Sequence, residues 1–404
     1  MKKILLILPL LFWIGCEDDQ PPSAVDLTFK VIGTNVILEW TKNSDGDFDS
    51  YEIVENGPFG DTTIYNTTDN NSTLFLRQAN SCEYYHYEVV VTNESGKSTS
   101  SNTAEVFTGP SILFEAEQNN YYQIVRLDSD GEAYYLTELI DLANRERQIN
   151  YSVYDDKVYF LTYFGSKRQI TSVSILGGEI ETVYEADMID ELLISGNGKR
   201  LIFLSDGYLT YLDIETGEVN QVGNYYAVEF AISDDGTSFA VSDGGFGIVV
   251  VDENGTTANV PAYNAYSMDW SSDGNQLVFH YYDGNSYEIA TIEKNGTNFQ
   301  KITDDPNGYY YKNPTFINND TQIMYDDQSA DWLVVINTDG SGAITIAEDM
   351  ASGNYPYYSV SECLTAVVYR HQNNTLLAIA YFNNLLNPQV LYTPFTGRYP
   401  SFQY

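Results

Sequence analysis

Tyrosine is the side chain in this sequence best placed to do something. There are 35 of them, and many gather in short groups: Tyr225-Tyr226, Tyr263 with Tyr266, Tyr281-Tyr282, Tyr309-Tyr310-Tyr311 and Tyr355, with Trp332 nearby. A phenol offers a flat apolar ring and a hydroxyl at low entropic cost, which suits stacking on sugars or gripping peptides. Reaction chemistry has fewer candidates. The three histidines, His86, His280 and His371, have neither metal-ligand spacing nor a nucleophile beside them. No Gly-x-Ser-x-Gly elbow, His-Glu-x-x-His pair or phosphate-binding glycine loop occurs. With 57 acids in the chain, two that lie close in sequence carry little information about catalysis. Asp45, Asp47 and Asp49 alternate as calcium ligands do, but the bidentate glutamate of an EF-hand loop is missing, and as a turn these residues need no ion. No catalytic residue and no cofactor is expected.

The elements that would position these rings emerge from a repeat. Ile194-Ser-Gly-Asn-Gly-Lys-Arg-Leu-Ile-Phe, Ile232-Ser-Asp-Asp-Gly-Thr-Ser-Phe-Ala-Val and Trp270-Ser-Ser-Asp-Gly-Asn-Gln-Leu-Val-Phe match position for position, and looser copies begin at Tyr151, Phe316 and Val360. The period is about forty residues, that of four-stranded propeller blades. Each unit continues into a second hairpin whose turn carries Gly131, Gly178, Gly217, Gly255, Gly296 or Gly340, where glycine supplies positive φ. The strands are named A to D from the axis outward. The first unit, Ile112 to Leu139, lacks an A strand, and Tyr399-Pro-Ser-Phe402 lines up with Asn313-Pro-Thr-Phe316. The tail is therefore expected to pair into the first blade and close the ring, removing its open edges. The expectation is an all-β chain with seven blades, six or eight being the alternatives. Only Glu138 to Gln148 has the pattern of a short helix.

In such a ring the D-A and B-C loops emerge at one mouth, opposite the A-B and C-D turns. That mouth would collect Tyr225, Tyr226, Tyr263, Tyr266, Tyr281, Tyr282, Tyr309, Tyr310, Tyr311, Trp332 and Tyr355. Roughly half of these rings should pack between blades instead. The expected function is a non-catalytic binding module whose mouth takes a glycan or a protein or peptide ligand. The alternative is a carbohydrate-active enzyme with mouth carboxylates flanking a glycosidic bond.

The Ser-x-Asp-Gly turn followed by an apolar triplet resembles the TolB-type, WD-repeat-like bacterial propellers. Asp269-Trp-Ser-Ser-Asp-Gly-Asn-Gln-Leu-Val-Phe279, continuing into Tyr287-Glu-Ile-Ala-Thr-Ile-Glu-Lys-Asn-Gly296, carries the likeness best. It covers roughly three quarters of the chain and implies a fold without implying a reaction. Propeller hydrolases of the prolyl oligopeptidase kind carry a catalytic domain after the ring; here the chain is expected to stop at the ring's last strand.

Asp26 to Thr108 resembles a fibronectin type III domain. Val36-Ile-Leu-Glu-Trp40 matches its B strand, Tyr51-Glu-Ile-Val its C strand and Tyr85-His-Tyr-Glu-Val-Val-Val its F strand. Alternation puts Val36, Leu38 and Trp40 on one face and Tyr85, Tyr87, Val89 and Val91 on the facing one. Tyr85 is the candidate for the family's tyrosine corner.

Lys2-Lys3, the apolar run Ile4 to Ile14 and then Gly15-Cys16 make a secretory signal, too short to span a bilayer. Gly15-Cys16 resembles the lipobox of bacterial lipoproteins, which implies lipid on the Cys16 thiol; plain secretion and an uncleaved anchor are the alternatives. Cys16-Glu-Asp-Asp19 and Gln20-Pro-Pro22 resemble the tether of a Bacteroidetes lipoprotein, implying an outer-membrane protein at the cell surface or the periplasmic face, although an acidic spacer explains the same residues. The domains read as 1–15 signal peptide, 16–24 tether, 25–108 fibronectin type III domain and 109–404 propeller. Cys82 and Cys363 would then lie in an oxidising compartment, and the resemblances place both toward the domain junction: they form a disulfide there or are two free thiols. The formal charge of -38 repels nucleic acid and anionic lipid, so membrane contact is left to the lipid anchor. Such charge keeps a protein soluble, and a monomer is expected.

Overall fold

The computed structural model describes residues 20–32, 35–57, 60–80, 83–108, 111–118, 121–128, 133–137, 149–164, 167–242, 247–253, 255, 257–260, 265–304, 308–348, 358–360, 366–370, 376–381 and 389–402. All regular structure among them is β. Glu138 to Gln148, the expected short helix, lies outside the described residues. The chain divides into two compact units, Met1–Thr108 and Gly109–Tyr404.

Unit 1 contains β1 (Leu27–Ile32), β2 (Asn35–Trp40), β3 (Phe48–Gly57), β4 (Gly60–Thr67), β5 (Leu74–Gln78), β6 (Glu83–Asn93), β7 (Ser98–Ser100) and β8 (Ala104–Thr108). One sheet runs β1-β2-β5; the other runs β4-β3-β6-β7, with β8 also pairing β6. Period-two alternation buries one face of each. Val36, Leu38 and Trp40 share a single core with Tyr85, Tyr87, Val89 and Val91. The fully buried Tyr51 meets Trp40 edge-on at 5.7 Å, and its hydroxyl accepts from Asn43 N at 2.6 Å and donates to Asn70 Oδ1 at 2.7 Å. The Tyr85 hydroxyl accepts from the backbone N of Asn80 at 2.9 Å, so an upstream loop is tied to β6.

Unit 2 repeats one meander. Its strands are β9 (Ile112–Gln118), β10 (Tyr121–Leu127) and β11 (Ala133–Tyr135); β12 (Asn150–Ser152), β13 (Lys157–Phe164), β14 (Lys167–Ser174) and β15 (Glu181–Ala186); β16 (Ile189–Ile194), β17 (Arg200–Ser205), β18 (Tyr208–Asp213) and β19 (Val219–Tyr226); β20 (Glu229–Ile232), β21 (Ser238–Ser242), β22 (Ile248–Asp252) and β23 (Thr257–Val260). They continue with β24 (Ala265–Trp270), β25 (Gln276–Tyr282), β26 (Tyr287–Glu293) and β27 (Gln300–Lys301); β28 (Tyr311–Ile317), β29 (Gln322–Asp327), β30 (Trp332–Asn337) and β31 (Ile344–Ala347); then β32 (Tyr358–Val360), β33 (Ala366–Arg370), β34 (Leu376–Tyr381) and β35 (Gln389–Phe402). From β12 to β31 each successive group of four forms one antiparallel sheet. The remaining strands join in the order β11-β10-β9-β35-β34-β33-β32. Two partners share the long β35: Gln389 to Thr396 pairs with β34, and Gly397 to Phe402 with β9. The first and last strands of unit 2 thus meet in one sheet, with Ser401 opposite Leu113 and Phe402 opposite Ile112.

The repeated motif is a hydrogen-bonding device. Ser195, Ser233 and Ser271 each donate from Oγ to the side chain two residues on, Asn197, Asp235 and Asp273, at 2.8, 2.6 and 2.7 Å. Each Oγ also accepts the first backbone N of the next strand, from Arg200, Ser238 and Gln276, at 3.0, 3.0 and 2.9 Å. Gly198, Gly236 and Gly274 close these turns at φ of 69°, 77° and 63°, a region that side chains with a Cβ avoid. Neighbouring turns are also linked: Asn197 N donates to Asp234 O at 2.9 Å, and Asp320 accepts from Ser272 N and Oγ. Phe114, Phe160, Phe203, Phe239 and Phe279 are fully buried on β9, β13, β17, β21 and β25, each contributing roughly 1.5 to 3 kcal/mol by burial.

Candidate functional site

Antiparallel order puts the end of β25, the start of β26 and the start of β28 at the same end of the meander, opposite the Ser-x-Asp-Gly turns. The rings gather here. Tyr282 lies 5.3 Å from Tyr287, and Tyr287 lies 5.7 Å from Tyr310, centroid to centroid. Tyr287 and Tyr310 also form a parallel bridge between adjacent sheets. Tyr309 is 6.3 Å from Tyr311, which meets Tyr325 edge-on at 5.3 Å. Tyr282, Tyr309, Tyr310 and Trp332 are exposed, at 37, 40, 48 and 39%. The result is a ledge of solvent-facing rings held by half-buried ones.

Behind the ledge lies a polar cluster. Bulges in β24 between Tyr266 and Asp269, and in β28 between Lys312 and Thr315, place Ser267 and Asn313 at φ of 46° and 50°; bulges of this kind re-aim side chains. Ser267 Oγ donates to Asn313 Oδ1 at 2.8 Å, and Asn313 Nδ2 donates to Asp326 Oδ2 at 2.8 Å. His280 stacks on Tyr266 at 5.7 Å and meets Tyr287 edge-on at 5.6 Å. The Lys312 ammonium rests 5.0 Å from the Tyr287 ring centre, a cation–π contact. Burial pushes the Asp326 carboxyl up to about 8, against the opposing pull of Asn313 and the Lys312 charge. Burial, then the Lys312 charge, pushes His280 down to about 3. Lys312 is lowered by burial, opposed by Asp326. Glu229 on β20 is raised by burial to about 7, although Ser267 N donates to it. Both shifts favour the uncharged forms, a neutral His280 and a protonated Asp326.

A second acidic group borders the ledge. One carboxylate oxygen from each of Asp283, Glu288 and Asp304 lies within 4.8 Å of the others, the spacing of a metal site. Lys301 Nζ already bridges it, at 2.8 Å from Asp283 and 2.6 Å from Asp304. Buried Glu288 accepts from Ser286 and Thr303, each at 2.6 Å. Lys301 and the two backbone donors at Ser286 and Asn285 hold Asp283 down to about 2. The lysine already supplies a cation to this cluster, in which Glu288 is buried while Asp283 and Asp304 are exposed.

The residues singled out in the sequence fall into three groups. Tyr282 and Tyr310 come together on Tyr287, with Tyr266 joined through His280, and Tyr309 packs with Tyr311 on Tyr325, while Trp332 stands at the start of β30, opposite Asp327. Tyr281 packs on Phe279 and Phe299 at 6.1 and 5.6 Å, and Tyr225 packs on the core between the third and fourth units; both are structural. Tyr263, Tyr355, Cys16, Cys82 and Cys363 lie outside the described residues, as does the Tyr226 side chain. The expectation that these aromatics occupy loops needs correction: Tyr225, Tyr226, Tyr266, Tyr281, Tyr282, Tyr311 and Trp332 lie within strands, because aromatic rings favour the pleated surface. Asp45, Asp47 and Asp49 go to separate partners, Ser23, Asn93 and Ser50. His280, Lys312, Asp326 and Glu229 were not anticipated.

No family model matches the chain, and no curated protein does. Solved structures do. An oligogalacturonate lyase in complex with manganese is 14% identical with a TM-score of 0.52 over 70% of this chain and 84% of its own. A 6-phosphogluconolactonase-like protein from Bacteroides uniformis is 12% identical with a TM-score of 0.51 over 72% and 99%. These two share a fold with unit 2. It is a β-propeller. TolB from Acinetobacter baumannii is also similar, at 13% identity and a TM-score of 0.47 over 79% of each chain. Identities this low speak to fold and leave the propeller's function to its own residues.

Proposed function

We propose that the protein is a non-catalytic binding module whose propeller grips a glycan or a peptide on the Tyr282–Tyr309–Tyr310 ledge. One observation carries the reading: exposed rings packed against half-buried ones on two adjacent sheets, a rigid apolar surface with hydroxyls at its rim. In this reading the propeller has seven blades closed by β35, and unit 1 is a fibronectin type III spacer. The chain is exported, lipidated at Cys16 and held as a monomer at the outer membrane, facing the surface or the periplasm; the Lys2 to Cys16 pattern supports this. A glycan and peptide array probed with the full chain tests the ledge. Binding lost in Tyr309→Ala and Tyr310→Ala supports it, and binding equal to wild type in both removes it.

A carbohydrate-active enzyme is the second reading, favoured by two carboxyls, Glu229 and Asp326, held near 7 and 8, where an acid can deliver a proton at neutral pH. Release of reducing ends from an array-positive glycan, abolished in Asp326→Asn, would establish it.

A further inference from the structure

The repeat lets each blade serve as a control for the others. Counted from the A-B turns, one B-strand position recurs in six units: Glu115, Leu161, Leu204, Ser242, His280 and Asp326. All six are buried. The position is apolar in two of them, Ser242 spends its hydroxyl on Ala265 O at 2.8 Å, and Glu115 stands opposite Arg398. His280 and Asp326, in neighbouring blades, break the pattern: His280 Nδ1 and Asp326 Oδ1 are shut from solvent with no hydrogen-bond partner. Leaving such atoms unpaired is costly, and an imidazole and a carboxyl at a position where leucine serves are poor choices for packing alone.

Their surroundings hold both atoms in place. Asn313 and Ser267 anchor Asp326 by its other oxygen, while Tyr266 and Tyr287 hold the imidazole ring. Lys312 faces Asp326 across the β28–β29 pair, yet among the described residues it closes no ion pair and rests on Tyr287 by its ammonium. Of His280, Asp326 and Lys312 it is the least buried.

We propose that His280 Nδ1, Asp326 Oδ1 and Lys312 form a seat for one unit of a neutral glycan, whose hydroxyls complete their hydrogen bonds beside Tyr287. The seat deepens the glycan half of the reading above and rests on it. A sugar hydroxyl both donates and accepts, which suits a neutral imidazole nitrogen and a protonated carboxyl together. A peptide amide cannot do both with one atom. An anionic ligand is disfavoured by the chain's formal charge of -38.

The chain's three histidines make the test direct. The full chain labelled with ¹⁵N-histidine, its His280 resonance assigned through His280→Gln, is titrated with glucose, galactose, mannose, xylose and N-acetylglucosamine. The expected result is a saturable shift of the His280 imidazole by at least one sugar with His86 unmoved, and affinity weakened roughly tenfold in Asp326→Asn. Lys312→Met, which keeps the stem, is the second variant should Asp326→Asn fold poorly; it should also weaken binding. An unmoved His280 across the whole panel assigns the orphan atoms to internal water and overturns the seat, as does a shift undiminished in both variants. An array-positive glycan that needs Tyr310 but leaves His280 unmoved keeps the ledge and rejects the seat. A sugar that moves His280 equally in Tyr310→Ala keeps the seat and rejects the ledge.

Discussion

Replacing Asp326 by asparagine should make the propeller more stable as the pH rises, by an amount that follows from the burial of this carboxyl. Its unfolded value is 3.8 and its folded value about 8. The sign follows from linkage: between those values the folded chain holds a proton that the unfolded chain has lost, so folding weakens as pH rises. Stability is full below about pH 4 and falls by about 1.4 kcal/mol per pH unit until about pH 8. From pH 5 to pH 7 the loss through this one residue is roughly 3 kcal/mol, a sizeable share of a typical folding free energy. Asparagine does not titrate and still offers Asn313 an acceptor, so the variant escapes the loss. Glu229 and Asp269, pushed up by burial to about 7 and about 6, titrate in the same window, and subtracting wild type from variant cancels them. Lys312 and Asn313 face the carboxyl in both proteins. Urea unfolding at pH 5, 6, 7 and 8 gives the comparison. The stability difference should grow by roughly 3 kcal/mol from pH 5 to pH 7 and level off beyond pH 8; parallel curves would refute the reasoning, and a difference that shrinks with pH would reverse it.

Ser271→Ala removes the acceptor for Gln276 N and the donor to Asp273, and should cost about 1 to 2 kcal/mol; an unchanged thermal midpoint would show that the turn holds without its hydroxyl. Lys301→Met leaves Asp283 and Asp304 beside buried Glu288, and should cost about 1 kcal/mol at low salt and less at high salt. Because Asp283 is held down to about 2, its contribution is present above pH 4 and lost as pH falls toward 2, so this variant should show a flatter acid limb in an acid-unfolding titration. Truncation after residue 388 removes β35 from both its partners, and should replace one cooperative propeller transition in urea by a broad one of lower midpoint. A truncated chain that melts like the intact one would show that the shared strand does not hold the ends together.

Much of the scaffold could be read from residues because its information is local. Serine two before an aspartate and three before a glycine is a complete hydrogen-bonding unit, so Ser271, Asp273 and Gly274 announce their turn wherever they occur. Alternation on β2 and β6 likewise named Trp40, Tyr87 and Val89 as core before any contact was known. The match of Tyr399 to Phe402 with Asn313 to Phe316 is still a local comparison, yet it anticipates a strand pairing almost three hundred residues long in sequence. Tyrosine was harder to place. Its frequency in short groups suggested loops, while its preference for pleated surfaces put most of the group into strand ends.

The polar cluster stayed hidden because linear spacing does not display cross-strand register. Tyr266 pairs with His280 and Lys312 with Asp326, pairs that share one sequence separation because both hairpins have the same length and both carry a bulge in the A strand. Metal-ligand or catalytic spacings do not include that separation, so His280 read as isolated and Asp326 as one acid among many. A usable signal was nonetheless present in the repeat. Aligning blades on their A-B turns shows Leu161, Leu204 and Ser242 where His280 and Asp326 stand, and a buried position that leucine fills in two blades has no packing need for an ionisable group. In a repeat protein each blade packs chiefly on its neighbours, so one blade can diverge without disturbing distant ones. Two adjacent blades that diverge at the same buried position, beneath the surface carrying Tyr282 and Tyr310, are therefore where a ligand-specific cost can be tolerated, and where function should be sought first.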